Sequence, residues 1–189
     1  MQIEKIDNLL ALFYDQYQKQ NKESIFLQSL KEPKNKYSWE DVYLNINKLS
    51  EEISKYIKKG DRCLLVSENR PEWMIADFAI MLSGGITVPA YTTYTERDYE
   101  YIINDCTPTV LIVSDKVLYK KIKNTISKKK FIKKIFLFEE VDNLDEELHL
   151  NTDRIFKKTN HKYVNFFNLK IQRKEIACII YTSGTQGNP

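Results

Sequence analysis

Apolar positions along the chain recur first at helical spacing. Ile6, Leu9, Leu10, Phe13 and Tyr17 fall at helical spacing and predict an amphipathic helix with these five on its buried stripe. Residues 24–30 and 36–39 are short extended candidates joined by a turn at Pro33. Ser38, with Asp41 three positions on, has the pattern of a capping box. Val42, Ile46, Leu49, Ile53 and Ile57 make the buried stripe of the helix it opens, and Gly60 is placed to stop it.

A strand–helix alternation follows. Residues 63–66 form a short apolar run of the kind found in buried parallel strands. Asn69 is placed to cap the next helix, which starts near Pro71 and runs to Gly84 and Gly85. Residues 86–90 read as a strand, and Thr95 with Asp98 caps a helix running to about residue 105. A strand over 109–113, a helix over about 115–128 and a strand over 135–138 complete the series. This spacing predicts an α/β fold with a mostly parallel sheet, right-handed crossovers and helices on both faces. Residues 139–174 are less regular and read as a loop with a short strand or helix, before a last apolar strand over 176–181.

Composition narrows the class. Of 189 residues, 42% are hydrophobic and 12% aromatic, enough for a core and incompatible with a mainly disordered chain. The best apolar stretch, 74–82, is too short to span a bilayer and contains Asp77, and acidic residues interrupt the start where a secretory signal would lie. Cys63, Cys106 and Cys178 are odd in number and lack metal-binding spacing. They read as buried thiols of a reducing compartment, which points to the cytoplasm.

The net charge of +3 is unevenly placed. Residues 116–134 hold nine lysines and no acid, and residues 139–147 hold six acids and no base. The lysine run is either a patch for phosphate groups or an anionic membrane face, or else a solvated helix face offset by an acidic loop. Lysine without arginine or interleaved aromatic rings argues against nucleic acid. Membrane contact is expected to be peripheral at most, on the inner face.

Glycine is scarce, yet two of the five sit within the last six positions. There an apolar strand runs into Thr182, Ser183, Gly184, Thr185, Gln186 and Gly187. The hydroxyls are donors for an anion, and the glycines let backbone N–H groups approach it closely. The carboxyl end of a parallel strand is where ligands of open α/β sheets sit. The spacing is not that of a Walker A loop. From composition alone, an anion-binding loop and an ordinary polar turn both stay open.

The segment YTSGTQGNP at 181–189 resembles the phosphate-loop signature of the adenylate-forming superfamily, with Gln186 where Thr is usual. Gly60-Asp61-Arg62 leading into SENRPEW at 67–73 resembles the long-chain acyl-CoA synthetase branch. The segments 37–42, 87–91 and 99–105 continue that resemblance in the family's order. It implies a ligase that activates a fatty acid with Mg-ATP and passes the acyl group to coenzyme A. It also implies that Thr182, Ser183, Gly184, Thr185, Gln186 and Gly187 hold the β- and γ-phosphates. No catalytic or metal-binding residue is carried over, and an aryl-CoA ligase branch stays open, as does a noncatalytic module built around the lysine run.

The resemblance implies further that residues 1–189 are the N-terminal part of such a domain, incomplete within the loop motif. The Mg-binding Glu, the acyl pocket and the catalytic lysine would then lie elsewhere. ATP, Mg2+ and coenzyme A belong to the intact family, and this chain alone is expected to bind none of them tightly. An inactive, marginally stable and self-associating protein is the expectation unless a companion chain supplies the remainder.

Overall fold

The structure, a computed structural model, describes residues 8–141, 144–159 and 171–182. The chain opens with α1 (Leu9–Lys19), whose N-cap Asn8 accepts from the Ala11 amide. Leu10, Phe13 and Tyr17 form its buried stripe as the periodicity predicts. Leu9 instead lies 53% exposed, on the flank of that stripe, and Ile6 lies outside the described residues.

An antiparallel hairpin of β1 (Ile25–Gln28) and β2 (Lys36–Ser38) leads into α2 (Trp39–Ile53). The capping box forms: the Ser38 hydroxyl accepts from the Asp41 amide while the Asp41 carboxylate accepts from the Ser38 amide. Val42, Ile46, Leu49 and Ile53 are fully buried, each burial worth about 1.5–3 kcal/mol. The helix ends at Ile53, earlier than the stripe suggested. Ile57 stays buried from the turn that follows, and Gly60, at φ +87°, serves the turn into the sheet rather than the helix terminus.

The sheet is built from β3 (Arg62–Val66), β4 (Ile86–Ala90), β5 (Val110–Val113), β6 (Lys134–Leu137) and β7 (His149–Asn151). Its order is β4-β3-β5-β6-β7, every pairing parallel. The crossovers are α3 (Pro71–Leu82), α4 (Glu96–Cys106) and α5 (Lys116–Ile126), and α6 (Thr152–Phe156) follows β7. Strand residues alternate between two cores. Cys63, Leu65, Val110, Ile112 and Phe136 pack beneath α1, α2, α3 and α6. Leu64, Val66, Leu111, Val113, Ile135 and Leu137 pack beneath α4 and α5. The result is an α/β fold with helices on both faces of a parallel sheet.

The cap of α3 departs from expectation. Arg70, not Asn69, is the N-cap, extended at φ −148° and without a side-chain cap bond. The cause is Pro71 at the first helical position, which drives its predecessor out of the helical region. Gly85 follows α3 because a Cβ there would come within 3.0 Å of Ile57 and Ile80. The sequence predicts a loop with a short strand or helix within 139–174, and both elements form, as β7 and α6.

Residues 176–181 do not form the buried strand that their composition predicts. They meet β4 at a single parallel bridge, Thr87 with Cys178, and Ile176 and Ile180 are 62% and 59% exposed. Cys63 and Cys106 are buried, but Cys178, which pairs with Thr87 at the outer margin of the sheet, is exposed. A strand needs a neighbour on both edges and a cover on both faces to be buried, and here one edge and one face lack them among the described residues.

Candidate functional site

Residues 171–182 run along the open edge of β4. Asn8 Nδ2 donates to the Ile171 carbonyl at 3.3 Å, and Lys59 pairs with Glu175 at 2.8 Å. The Thr87 amide then donates to the Ala177 carbonyl (3.1 Å), and the Ile179 amide to the Thr87 carbonyl (2.9 Å). The parallel direction carries residues 181 and 182 level with the carboxyl end of β4. There the Tyr94 hydroxyl donates to the Tyr181 carbonyl at 3.1 Å, and the Tyr181 hydroxyl donates to the Asp105 carboxylate. Thr182 is exposed at this rim. Ser183, Gly184, Thr185, Gln186 and Gly187 lie outside the described residues.

The chain passes from β3 outward to β4 and then returns to β5 on the other side, so the crevice of this sheet opens at the carboxyl ends of β3 and β5. Ser114 lies there fully buried, its Oγ 2.8 Å from Glu68 Oε2 and 2.8 Å from Asp115 Oδ2. Asp115 Oδ1 accepts from the Val117 and Leu118 amides and caps α5. Burial opposes its ionisation, but the Leu118 amide, the Ser114 hydroxyl and their neighbours outweigh it and hold the carboxyl below its ordinary range. Sequence reading placed a helix start at Asp115 but had no means of joining Glu68 to Ser114 across 46 positions.

The ENRPEW residues build structure. Glu72, 5% exposed, accepts from Arg70 Nε (2.8 Å), Asn35 Nδ2 (2.9 Å) and the Tyr37 hydroxyl (2.8 Å). Arg70 also reaches Glu139 at 3.2 Å and lies over the Phe138 ring. These groups wall a polar cavity of about 660 Å³. A larger apolar cavity of about 1040 Å³ lies at the amino end of β4, between α1, the end of α3 and residues 171–177. It is at the opposite end of the strand from Thr182.

Part of the lysine run is committed to the fold. Lys121 donates to the Thr92 carbonyl at 2.9 Å, Lys129 to Asn104, and the buried Lys134 to the carbonyls of Glu146 and Glu147. Among the described residues no cluster of three His, Cys, Asp or Glu side chains is placed to hold a metal ion.

The sequence pattern of the family described as AMP-binding enzyme matches residues 13–189. The chain belongs to the AMP-binding enzyme family. Among its relatives in the family, long chain acyl-CoA synthetase 3 of Arabidopsis thaliana is 30% identical over 166 residues, covering 82% of this chain and 24% of the relative. Fatty acyl-CoA synthetase A of Dictyostelium discoideum is 31% identical over 140 residues, covering 70% and 20%. The chain therefore spans about a quarter of the length of the curated relatives it matches.

Solved structures agree on the fold. An anthranilate CoA ligase, AuaEII, in complex with anthranoyl-AMP superposes with a TM-score of 0.77 at 19% identity, over 100% of this chain and 35% of that one. Coronafacic acid ligase from Pectobacterium brasiliense gives 0.75 at 20% identity, over 92% and 33%.

Proposed function

We propose that this chain forms the N-terminal part of a long-chain fatty acid–CoA ligase, and that Thr182, Ser183, Gly184, Thr185, Gln186 and Gly187 cradle the polyphosphate of ATP. The supporting observation is the exit of residue 182 at the carboxyl rim of a parallel sheet, the end at which α/β folds take ligands. The family match and the names of the two relatives at about 30% identity support the chemistry.

The described part of the loop fits such a ligand. Thr182 is exposed and hydroxyl-bearing, with no carboxylate bonded to it among the described residues. In the reaction, a fatty acid carboxylate attacks the α-phosphorus of ATP and releases pyrophosphate, and the coenzyme A thiol then displaces AMP. The contribution of this chain is positional and electrostatic. Hydroxyl and backbone donors hold the leaving pyrophosphate in line and offset its charge. Mg2+ adds further neutralisation when bound with the nucleotide, and no described residue is assigned to it.

The acyl pocket and the second half-reaction require residues other than these, contributed by a companion chain or a longer product. Residues 1–189 act as one unit in this reading. Two buried thiols, Cys63 and Cys106, suit a cytoplasmic location, and no helix among the described residues is long and apolar enough to cross a membrane. The lysine run gives the noncatalytic-module reading little support, since Lys121, Lys129 and Lys134 are spent on internal bonds.

The test is exchange of labelled pyrophosphate into ATP by the chain together with the proteins co-encoded with it. Exchange that needs a long-chain fatty acid and falls at least tenfold in Thr185→Val supports the proposal. Exchange driven by an aryl acid instead moves the chain to the aryl-CoA branch. A folded mixture with no acid-dependent exchange overturns the ligase reading.

A further inference from the structure

We infer that Tyr94 and Asp105 are positioning residues that clamp Tyr181 and thereby set where the phosphate-binding segment leaves the sheet. The inference rests on the reading of residues 182–187 as a phosphate loop. Its geometry is on either side of α4. Tyr94 lies in the turn before that helix, where its amide donates to the Tyr91 carbonyl at 3.2 Å. Its ring is held edge-on between Tyr91 (5.3 Å, 89°) and Tyr99 (6.0 Å, 75°). Tyr99 is fully buried and donates its hydroxyl to the Tyr91 carbonyl at 2.7 Å. The ring contacts and the turn hold Tyr94 where its hydroxyl meets the Tyr181 carbonyl.

Asp105 lies in the last turn of the same helix and takes the Tyr181 hydroxyl, while the Tyr101 ring stands edge-on to Tyr181 at 6.3 Å and 89°. The helix and the turn before it thus grip residue 181, its main chain through Tyr94 and its side chain through Asp105. Burial and the Asp105 carboxylate both push the Tyr181 phenol well above its ordinary range, so it stays protonated as the donor.

The grip matters because little else holds this segment to the sheet. Thr87 makes two backbone bonds to it, at residues 177 and 179, and no ladder bond beyond the Cys178 bridge extends the pairing among the described residues. Three residues past that bridge, among the described residues, the hydrogen bond that holds the backbone is the one from the Tyr94 hydroxyl. A ligand cradle displaced by about 1 Å loses much of its value, so the clamp converts a weakly paired edge into a fixed exit for Thr182. Tyr94 carries most of this. Asp105 is exposed, and its bond competes with water.

The experiment compares the full chain with Tyr94→Phe, Asp105→Ala and Asp105→Asn. Tyr94→Phe keeps the ring contacts and removes only the donor; Asp105→Asn keeps an acceptor. Hydrogen exchange at the Ile179 amide reads the hold on the segment, and titration with Mg-pyrophosphate reads the consequence for the ligand.

Tyr94→Phe is expected to speed Ile179 exchange roughly five- to tenfold, the factor for one neutral hydrogen bond, with Val110–Val113 amides and the thermal midpoint unchanged. Asp105→Ala gives a smaller effect, restored in Asp105→Asn. Pyrophosphate affinity weakens severalfold in parallel. Unchanged Ile179 exchange in Tyr94→Phe overturns the clamp. Faster exchange with undiminished pyrophosphate affinity overturns its positioning role. A wild-type chain that shows no pyrophosphate binding even at millimolar concentration, where a weak site would register, while the exchange effect persists, defeats the phosphate-loop reading and leaves the hold on Tyr181 standing as a structural device only.

Discussion

Glu72 is nearly buried and yet ionised. Burial by itself would raise its carboxyl, but Arg70, Asn35 and Tyr37 all donate to it and together hold it below the ordinary range. Because the folded value lies below the unfolded one, this carboxylate stabilises the fold above about pH 4.5, its ordinary value. That contribution is lost as pH falls through the depressed folded value. Removing it leaves Arg70 half-buried without its main partner and strands the Tyr37 and Asn35 donors. Glu72→Ala should cost about 3 kcal/mol, the usual penalty for breaking a buried pair from one side. Urea unfolding at pH 7 measures that loss. The gap to wild type should narrow in acid, because the wild type there surrenders the same interaction.

At the scale of elements, caps separate what local sequence encodes from what it does not. Ser38 with Asp41 and Thr95 with Asp98 form capping boxes where their spacing puts them, since the motif is confined to four consecutive residues. Asn69 has a capping side chain but the wrong position, because Pro71 makes its own predecessor the boundary. Ser38→Ala should therefore cost about 1 kcal/mol, whereas Asn69→Ala, at an exposed position outside the cap, should change the urea midpoint by less than the error of measurement. The same divide runs through the rest of the fold. Apolar runs of four or five residues identify every strand of the parallel sheet except β7, whose three residues His149–Asn151 carry no apolar pattern. The run at 176–181 fails as a strand for a different reason: burial there depends on what stands beside it, and an apolar composition says nothing of neighbours. Of the candidate site, the sequence shows the chemistry of Thr182 and its successors. The side chains that hold Tyr181 are invisible to it, because Tyr94 and Tyr181 are 87 positions apart.

The whole molecule carries one conspicuous imbalance. Two cores enclose the sheet, while the β4 edge segment leaves Ile176, Cys178 and Ile180 exposed and packs Ile179 and Tyr181 against a core. Ile176 also lines the apolar cavity beside Leu9, so two of the chain's most exposed large apolar side chains border the same recess. An extended segment whose outer edge has no backbone partner among the described residues, with exposed apolar side chains, is a template for pairing with another strand. A second copy offers such a strand at no cost in composition, so the isolated chain should self-associate through this edge. Sedimentation velocity should show the weight-average coefficient rising with concentration, and the double substitution Ile176→Lys with Ile180→Lys should return it to the monomer value by placing like charges on both approaching edges. Both positions are more than half exposed, so the circular dichroism of the variant should match the parent. A concentration-independent monomer peak for the unsubstituted chain would mean that the edge is already satisfied within one molecule.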